Sequence, residues 1–170
     1  MEVKFKKLNE RAIMPKRATQ GSTAYDLYLC EDVIVSPNRN IIPLGFAMEM
    51  PHNIEAKIEA RSGFSSKGIE GHEILTAYMI TPEGKKKFNR FVAVDPIRFD
   101  ADVITGKIDS DYRDGVGVIV NNRSEVDFVL KAGTKIAQMT FYKVEEASFT
   151  EAEELSKTDR EGGFGSTGTK

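Results

Sequence analysis

Three stretches of the chain hold side chains whose types and spacing could do chemistry. Gly106-Lys107-Ile108-Asp109-Ser110-Asp111-Tyr112-Arg113-Asp114-Gly115 brings carboxylates, a tyrosine and an arginine to a turn between apolar segments. Asp and Gly are ordinary turn residues, so on its own this stretch reads as a solvated hairpin tip, and a functional reading needs company. Arg61-Ser62-Gly63-Phe64-Ser65-Ser66-Lys67 supplies it, since hydroxyls, small-residue backbone N–H groups and flanking cations at a strand end can cradle phosphate oxygens. The plainer alternative is a short turn whose arginine pairs with a surface acid. The tail adds Arg160, the aromatic Phe164 and the hydroxyls of Ser166 and Thr167, a set suited to stacking on a base and holding terminal phosphates. Without the other two stretches, that Gly-rich tail would read as disorder. Neither a Walker-type loop nor a Ser/His/Asp signature is present. His52 and His72 have no Cys or His partner at metal-ligand spacing and are expected on the surface or in loops.

Short strands must position these residues. From Val3 to Val144 the apolar residues come in brief runs with period-two alternation, punctuated by Gly, Pro, Asn and Asp. Strands are expected at Lys4–Leu8, Val33–Val35, Asn53–Ala60, Val116–Val120, Val126–Leu130 and Lys135–Tyr142. Within Asn53–Ala60, Ile54, Ala56, Ile58 and Ala60 share one face while Glu55, Lys57 and Glu59 share the other, so that strand is half buried. Such strands predict a sandwich, barrel or jelly roll. At 170 residues, 40% hydrophobic and 29% charged, the chain can bury one core, and one domain is expected.

Two segments break the pattern. Gly68–Thr105 contains the turn signal Pro82-Glu83-Gly84 followed by Lys85, Lys86, Lys87 and Arg90, and looks inserted. From Glu145 the chain is first acidic and then rich in glycine, which predicts a mobile arm. Within that arm Thr150 and Glu153 resemble a capping box before a helical turn.

Composition narrows the function classes. A formal charge of -2 gives no global attraction to nucleic acid, and direct nucleic-acid binding is not expected. Cys30 is the only cysteine, which excludes an internal disulfide and points to a reducing compartment. Met1 to Glu10 is charged rather than apolar, and no run of eighteen apolar residues occurs. A soluble, cytoplasmic protein without membrane partners is the expectation.

Taken in order, five blocks resemble the five motifs of the trimeric dUTPases: Gly21-Ser22-Thr23-Ala24-Tyr25-Asp26-Leu27, Arg61 to Lys67, Gly106 to Gly115, Gly133-Thr134-Lys135-Ile136-Ala137-Gln138, and Arg160 to Gly168. The resemblance spans nearly the whole chain. It implies an all-β, jelly-roll subunit in a homotrimer whose active sites draw motifs from all three chains. It also implies hydrolysis of dUTP to dUMP and pyrophosphate with Mg²⁺, which limits uracil incorporation into DNA. Asp109 then matches the carboxylate that activates the attacking water, and Tyr112 lies against the deoxyribose, leaving no room for a 2′-hydroxyl. Backbone groups of the third motif would read uracil. Arg61, Ser62, Gly63 and Gln138 match phosphate-contacting positions, with Asp26, Asp111 and Lys67 supporting. Phe164 would cap the base while Arg160, Ser166 and Thr167 hold the outer phosphates. Magnesium would be carried mainly by the triphosphate, without a direct protein ligand cluster.

The chain also departs from the family pattern. Ala24 stands where the family usually has Gly, and Phe64 and Ser65 replace its usual Leu and Ala. Arg160 and Phe164 are one residue closer than is usual. Between Lys67 and Asp109 the chain is far longer than the family's habit, so an insertion within about 70–104 is expected in a β domain spanning 1–144, with an arm over 145–170. Insertions of this kind resemble those of phage-encoded dUTPases, some of which bind a repressor protein. The expectation is a possible second role of that sort, in a host cytoplasm. Two alternatives stay open: a dCTP deaminase, which shares the fold but carries Pro-Gly-Phe-like residues after its aspartate where this chain has Ser110-Asp111-Tyr112, and a regulator with a vestigial site.

Overall fold

The computed structural model describes residues 1–159; residues 160–170 lie outside what is described. Alternation along the chain is realised as antiparallel ladders whose inward residues meet in one core. The central sheet runs in the order β11 (Gly106–Ile108), β6 (Ile54–Glu59), β14 (Lys135–Lys143) and β2 (Tyr25–Tyr28). A second sheet has β12 (Gly117–Asn122) between β10 (Ala101–Ile104) and β4 (Asn38–Pro43). A third runs β3 (Val33–Val35), β13 (Phe128–Leu130), β7 (Ile69–Thr81) and β8 (Gly84–Val92), with β9 (Ile97–Phe99) also on β7. Finally β1 (Lys4–Lys7) pairs with β5 (Phe46–Glu49). The sheets curl around the core as a jelly roll. Val118 and Val120 of β12, Ala56 and Ile58 of β6, and Leu27, Leu44, Phe46, Phe128 and Ile136 are buried there. Phe99 stacks on Phe128 with ring centroids 4.2 Å apart.

Strands expected from the sequence reappear within a residue or two, and Val33–Val35 to the residue. The turn expected after Thr150 does not form a helix: residues 144–158 have no regular structure. The capping-box pattern there lacks the apolar face that would stabilise a helix by packing. The only helix among the described residues is α1 (Ser62–Lys67), one turn in the second motif. It ends at Gly68, whose φ of 76° suits glycine and where a Cβ would come within 2.3 Å of the Phe99 carbonyl oxygen.

The inserted stretch is a β-hairpin. β7 leaves the core as a strand of 13 residues, and β8 returns from Thr81↔Gly84 to Ile74↔Val92 with a bulge between Ala77 and Tyr78. The return is interrupted at Ala93–Pro96, where Pro96 has no N–H to give the ladder, and resumes as β9 against Ile69–Gly71. His72, expected on the surface or in a loop, is a half-buried strand residue, with Nδ1 2.9 Å from the Ala93 carbonyl oxygen.

Candidate active site

In the central sheet, Asp26 lies opposite Gln138 and Gln138 opposite Glu59, so the three side chains share one face across adjacent strands. They line a cleft together with Ser22, Arg61, Ser62 and Gly63. Asp26 is 7% exposed, yet it is compensated on both sides: Arg61 Nε donates to its Oδ1 at 3.1 Å, and Lys135 Nζ lies 2.8 Å from its Oδ2. Hydrogen bonding to Asp26, reinforced by its charge, holds the Lys135 ammonium above the usual lysine pKa. The buried carboxylate thus fixes two cations at the cleft while leaving most of their N–H groups free for a ligand. Arg61 is itself the N-cap of α1, and the first N–H groups of a helix have no intrahelical acceptor, so Ser62 and Gly63 also offer donors to the cleft.

Lys135 was not among the residues that sequence reasoning assigned to the site. In a regular strand it would point away from Gln138, three residues on. A register shift between Lys135 and Ala137 pairs Lys135 with Tyr28 and Gln138 with Asp26, which puts both on the same face. Nothing in the sequence marks that bulge.

Asp109 and Tyr112 occupy a different cleft. It is walled by Ile41, Ile58, Ile104, Ile108 and Ile119, together with Gly115 to Gly117. The loop that carries them is not a hairpin tip: β11 belongs to the central sheet and β12 to the second, so residues 109–116 bridge two sheets and the cleft lies in their seam. Tyr112 O–H donates to the Gly115 carbonyl at 3.1 Å, and Arg113 donates to the carbonyls of Ser110 and Tyr112 at 2.7 and 2.9 Å. These bonds brace the loop and hold the tyrosine ring across it. Asp109 is exposed at the mouth of the cleft. Asp111 and Lys67, both exposed, line neither cleft. Arg160, Phe164, Ser166 and Thr167 lie outside the described residues.

The two clefts share no lining residue. Ile58 and Glu59, consecutive in β6, line one each, and consecutive strand residues point to opposite faces.

A family model described as dUTPase matches residues 10–82 and 100–168. The chain belongs to the dUTPase family. It is 35% identical over 173 residues to the deoxyuridine 5'-triphosphate nucleotidohydrolase of Hydrogenobaculum sp. (strain Y04AAS1), with all of both chains covered. It is 36% identical to that of Nautilia profundicola, with 99% of each covered. Among solved structures, a variant of the Staphylococcus bacteriophage 80alpha dUTPase with dUpNHpp superposes with a TM-score of 0.75 at 21% identity, covering 98% of each chain. A variant dUTPase from phage phi11 of S. aureus, described with a structural Mg(II) ion, gives a TM-score of 0.67 at 19% identity, covering 91% of this chain and 99% of that one. The stretch that the family model skips, residues 83–99, is the returning arm of the inserted hairpin, β8 and β9. No helix among the described residues is long and apolar enough to cross a membrane.

Proposed function

We propose that the chain hydrolyses dUTP to dUMP and pyrophosphate by attack of water on the α-phosphorus, and that the assembled site is shared between copies of a homotrimer. The observation that carries this reading is the distribution of the family's motifs over two unconnected clefts of opposite character. The cleft of Asp109 and Tyr112 has apolar walls fit for a base and a deoxyribose. That of Arg61, Ser62, Gly63 and Gln138 is rich in donors fit for phosphate oxygens. One nucleotide needs both, and a second copy of the chain is the natural source of the other half.

In this mechanism Asp109 accepts the proton of the attacking water. Arg61 and Gln138, with the Ser62 hydroxyl, donate to phosphate oxygens whose charge grows as the anhydride breaks. Asp26 keeps Arg61 and Lys135 oriented before substrate arrives, and the ring of Tyr112 fills the space a 2′-hydroxyl would need. A Cβ on Gly117 would meet Ile41 at 3.3 Å and the Ile42 carbonyl oxygen at 3.4 Å, so glycine there lets β12 lie close against β4 at the edge of this cleft.

Magnesium-dependent hydrolysis is the family's chemistry, and the residues present fit an ion carried by substrate. Among the described residues no group of three or more His, Cys, Asp and Glu could hold a metal, and the phosphate cleft offers only Asp26 and Glu59 as carboxylates. Carried in with the triphosphate, such an ion would supply charge compensation to the phosphate oxygens beside Arg61, Ser62 and Gln138.

A side-by-side assay with dUTP, dTTP, UTP and dCTP tests the reading. Pyrophosphate from dUTP alone is the expected result. Ammonia from dCTP would replace it with a deaminase, and no product from any of the four would leave a regulator with a vestigial site.

The inserted hairpin supports a second role, docking of a repressor-type protein. Its exposed Tyr78, Met79 and Ile80 lie opposite Lys87, Lys86 and Lys85 across the ladder, with exposed Leu75 opposite Phe91, and Lys85 Nζ lies 4.1 Å from the centre of the Tyr78 ring. Mixed aromatic and cationic surface of this kind suits an acidic protein partner.

A further inference from the structure

Residues 109–115 include Asp109 and Tyr112 but belong to no strand ladder, so bonds of the loop's own must shape it. Its far end is fixed. Val116 N–H donates to the Phe46 carbonyl at 2.8 Å, and Leu44 N–H donates to the Val116 carbonyl at 2.9 Å. Within the loop the backbone bond from Tyr112 N–H to the Asp109 carbonyl is long, at 3.2 Å. The shorter bonds come from a side chain. One nitrogen of Arg113, Nη1, donates to the Ser110 carbonyl at 2.7 Å and to the Tyr112 carbonyl at 2.9 Å. Two carbonyl oxygens that converge on one point repel each other, and a cation between them turns the repulsion into attraction. Nη1 has an N–H group for each.

The two carbonyls so held lie next to the residues that matter. That of Ser110 is one residue beyond Asp109, and that of Tyr112 sits on the residue whose ring lies across the loop, so a turn of either peptide plane moves Asp109 and Tyr112 relative to each other. The Arg113 side chain is also placed from outside the loop. It lines a hollow of about 270 Å³ with Phe5 of β1 and with Met48 and Glu49 of β5, and Glu49 is paired with Lys4 at 2.7 Å. The hydrogen bond and charge of Lys4, with a smaller share from the charge of Arg113, hold the Glu49 carboxyl below the usual glutamate range. A carboxylate therefore stands near the guanidinium.

We propose that Arg113 is a positioning residue for the hydrolysis, a cationic clamp that locks the loop in the turn that sets Asp109 beside Tyr112. It acts through those two residues rather than on the substrate, and the proposal rests on the hydrolytic reading of their cleft.

Two variants of the full chain test it. Arg113→Met keeps an apolar stem and removes the donors and the charge, whereas Arg113→Lys keeps a cation with three N–H groups. Arg113→Met should lower kcat for dUTP by about ten- to a hundredfold, the scale of a displaced catalytic group, and raise kcat/KM for UTP relative to dUTP. Binding of a non-hydrolysable dUTP analogue should change by less than about threefold, because the donors of the phosphate cleft are untouched. Arg113→Lys should restore most of kcat and of the discrimination. The midpoint in denaturant should stay near that of the wild type, as for most exposed side chains. Wild-type kcat and discrimination in Arg113→Met overturn the proposal, and so does a lowered midpoint with discrimination unchanged, which is what a merely stabilising side chain would give. A lysine variant as impaired as the methionine one overturns it too. Hydrogen exchange of the amides of residues 109–116, measured without nucleotide, reads the clamp independently of catalysis and should quicken in Arg113→Met. Unchanged exchange would sink the clamp, whereas a wild type that does not hydrolyse dUTP would sink the hydrolytic reading alone.

Discussion

Asp109 stands at the mouth of a cleft walled by isoleucines, with Tyr112 pinned beside it by its own hydrogen bond to Gly115. Replacing it by Asn keeps the shape and removes the proton acceptor. Asp109→Asn should lower kcat by about 10²–10⁴-fold while nucleotide binding persists, because a general base contributes on that scale. Pyrophosphate release measured beside titration of a non-hydrolysable analogue decides it, and a variant retaining more than roughly a tenth of kcat would show that another group takes the proton. Tyr112→Ala should raise kcat/KM for UTP relative to dUTP, since the ring's bulk is what the 2′-hydroxyl would meet; equal discrimination in wild type and variant would remove Tyr112 from that role. That Asp109 and Tyr112 share one cleft was legible in the sequence because their motif is contiguous. Lys135 was not, although its motif was: its place beside Asp26 depends on a bulge, and one extra residue in a ladder inverts which face every later side chain takes.

At the scale of elements, alternation revealed the strands that are half buried and concealed what joins them. The loop of residues 109–116 has the composition of a hairpin turn, yet its two flanking strands enter different sheets, and a cleft opens between them. Composition cannot distinguish a turn within one ladder from a bridge between two, because both need the same Asp and Gly. The insertion was visible as excess length, whereas its form, a hairpin continuing β7, depends on pairing between residues far apart in sequence. Among the described residues its distal half pairs with itself, apart from Arg90 reaching Asp127 at 3.4 Å. Replacing Thr81–Arg90 with a short Gly-Ser linker should therefore leave dUTP turnover within about twofold of wild type, as surface changes remote from a site do. A large loss of turnover would instead make the hairpin part of the active site, and loss of a captured protein partner with turnover preserved would support the docking role. The root of the hairpin is different. A Cβ on Gly71 would come within 2.7 Å of the Phe128 ring, which is fully buried and stacked on Phe99. Gly71→Ala should cost about 1–3 kcal/mol, the usual scale of overpacking, seen as a lowered midpoint in denaturant. An unchanged midpoint would mean that Phe128 has room to yield.

The whole molecule sets a constraint that no single residue carries. Consecutive residues of β6 line different clefts, so the cleft of Asp109 and that of Arg61 and Gln138 lie on opposite sides of a sheet. A site completed by a neighbouring copy predicts complementation between two inactive variants. Asp109→Asn disables the base cleft of its chain and leaves the phosphate cleft intact; Gln138→Ala does the reverse. Alone, each variant should hydrolyse dUTP poorly. Unfolded together in equal amounts and refolded, they should form mixed trimers in which some sites take Asp109 from one chain and Gln138 from the next. For random assembly into a cyclic trimer, a site is complete when the first chain carries intact Asp109 and its neighbour intact Gln138, so roughly a quarter of the wild-type rate should return. If each chain instead built its own site, every site in the mixture would lack one group or the other, and refolding together would restore nothing above the sum of the two variants.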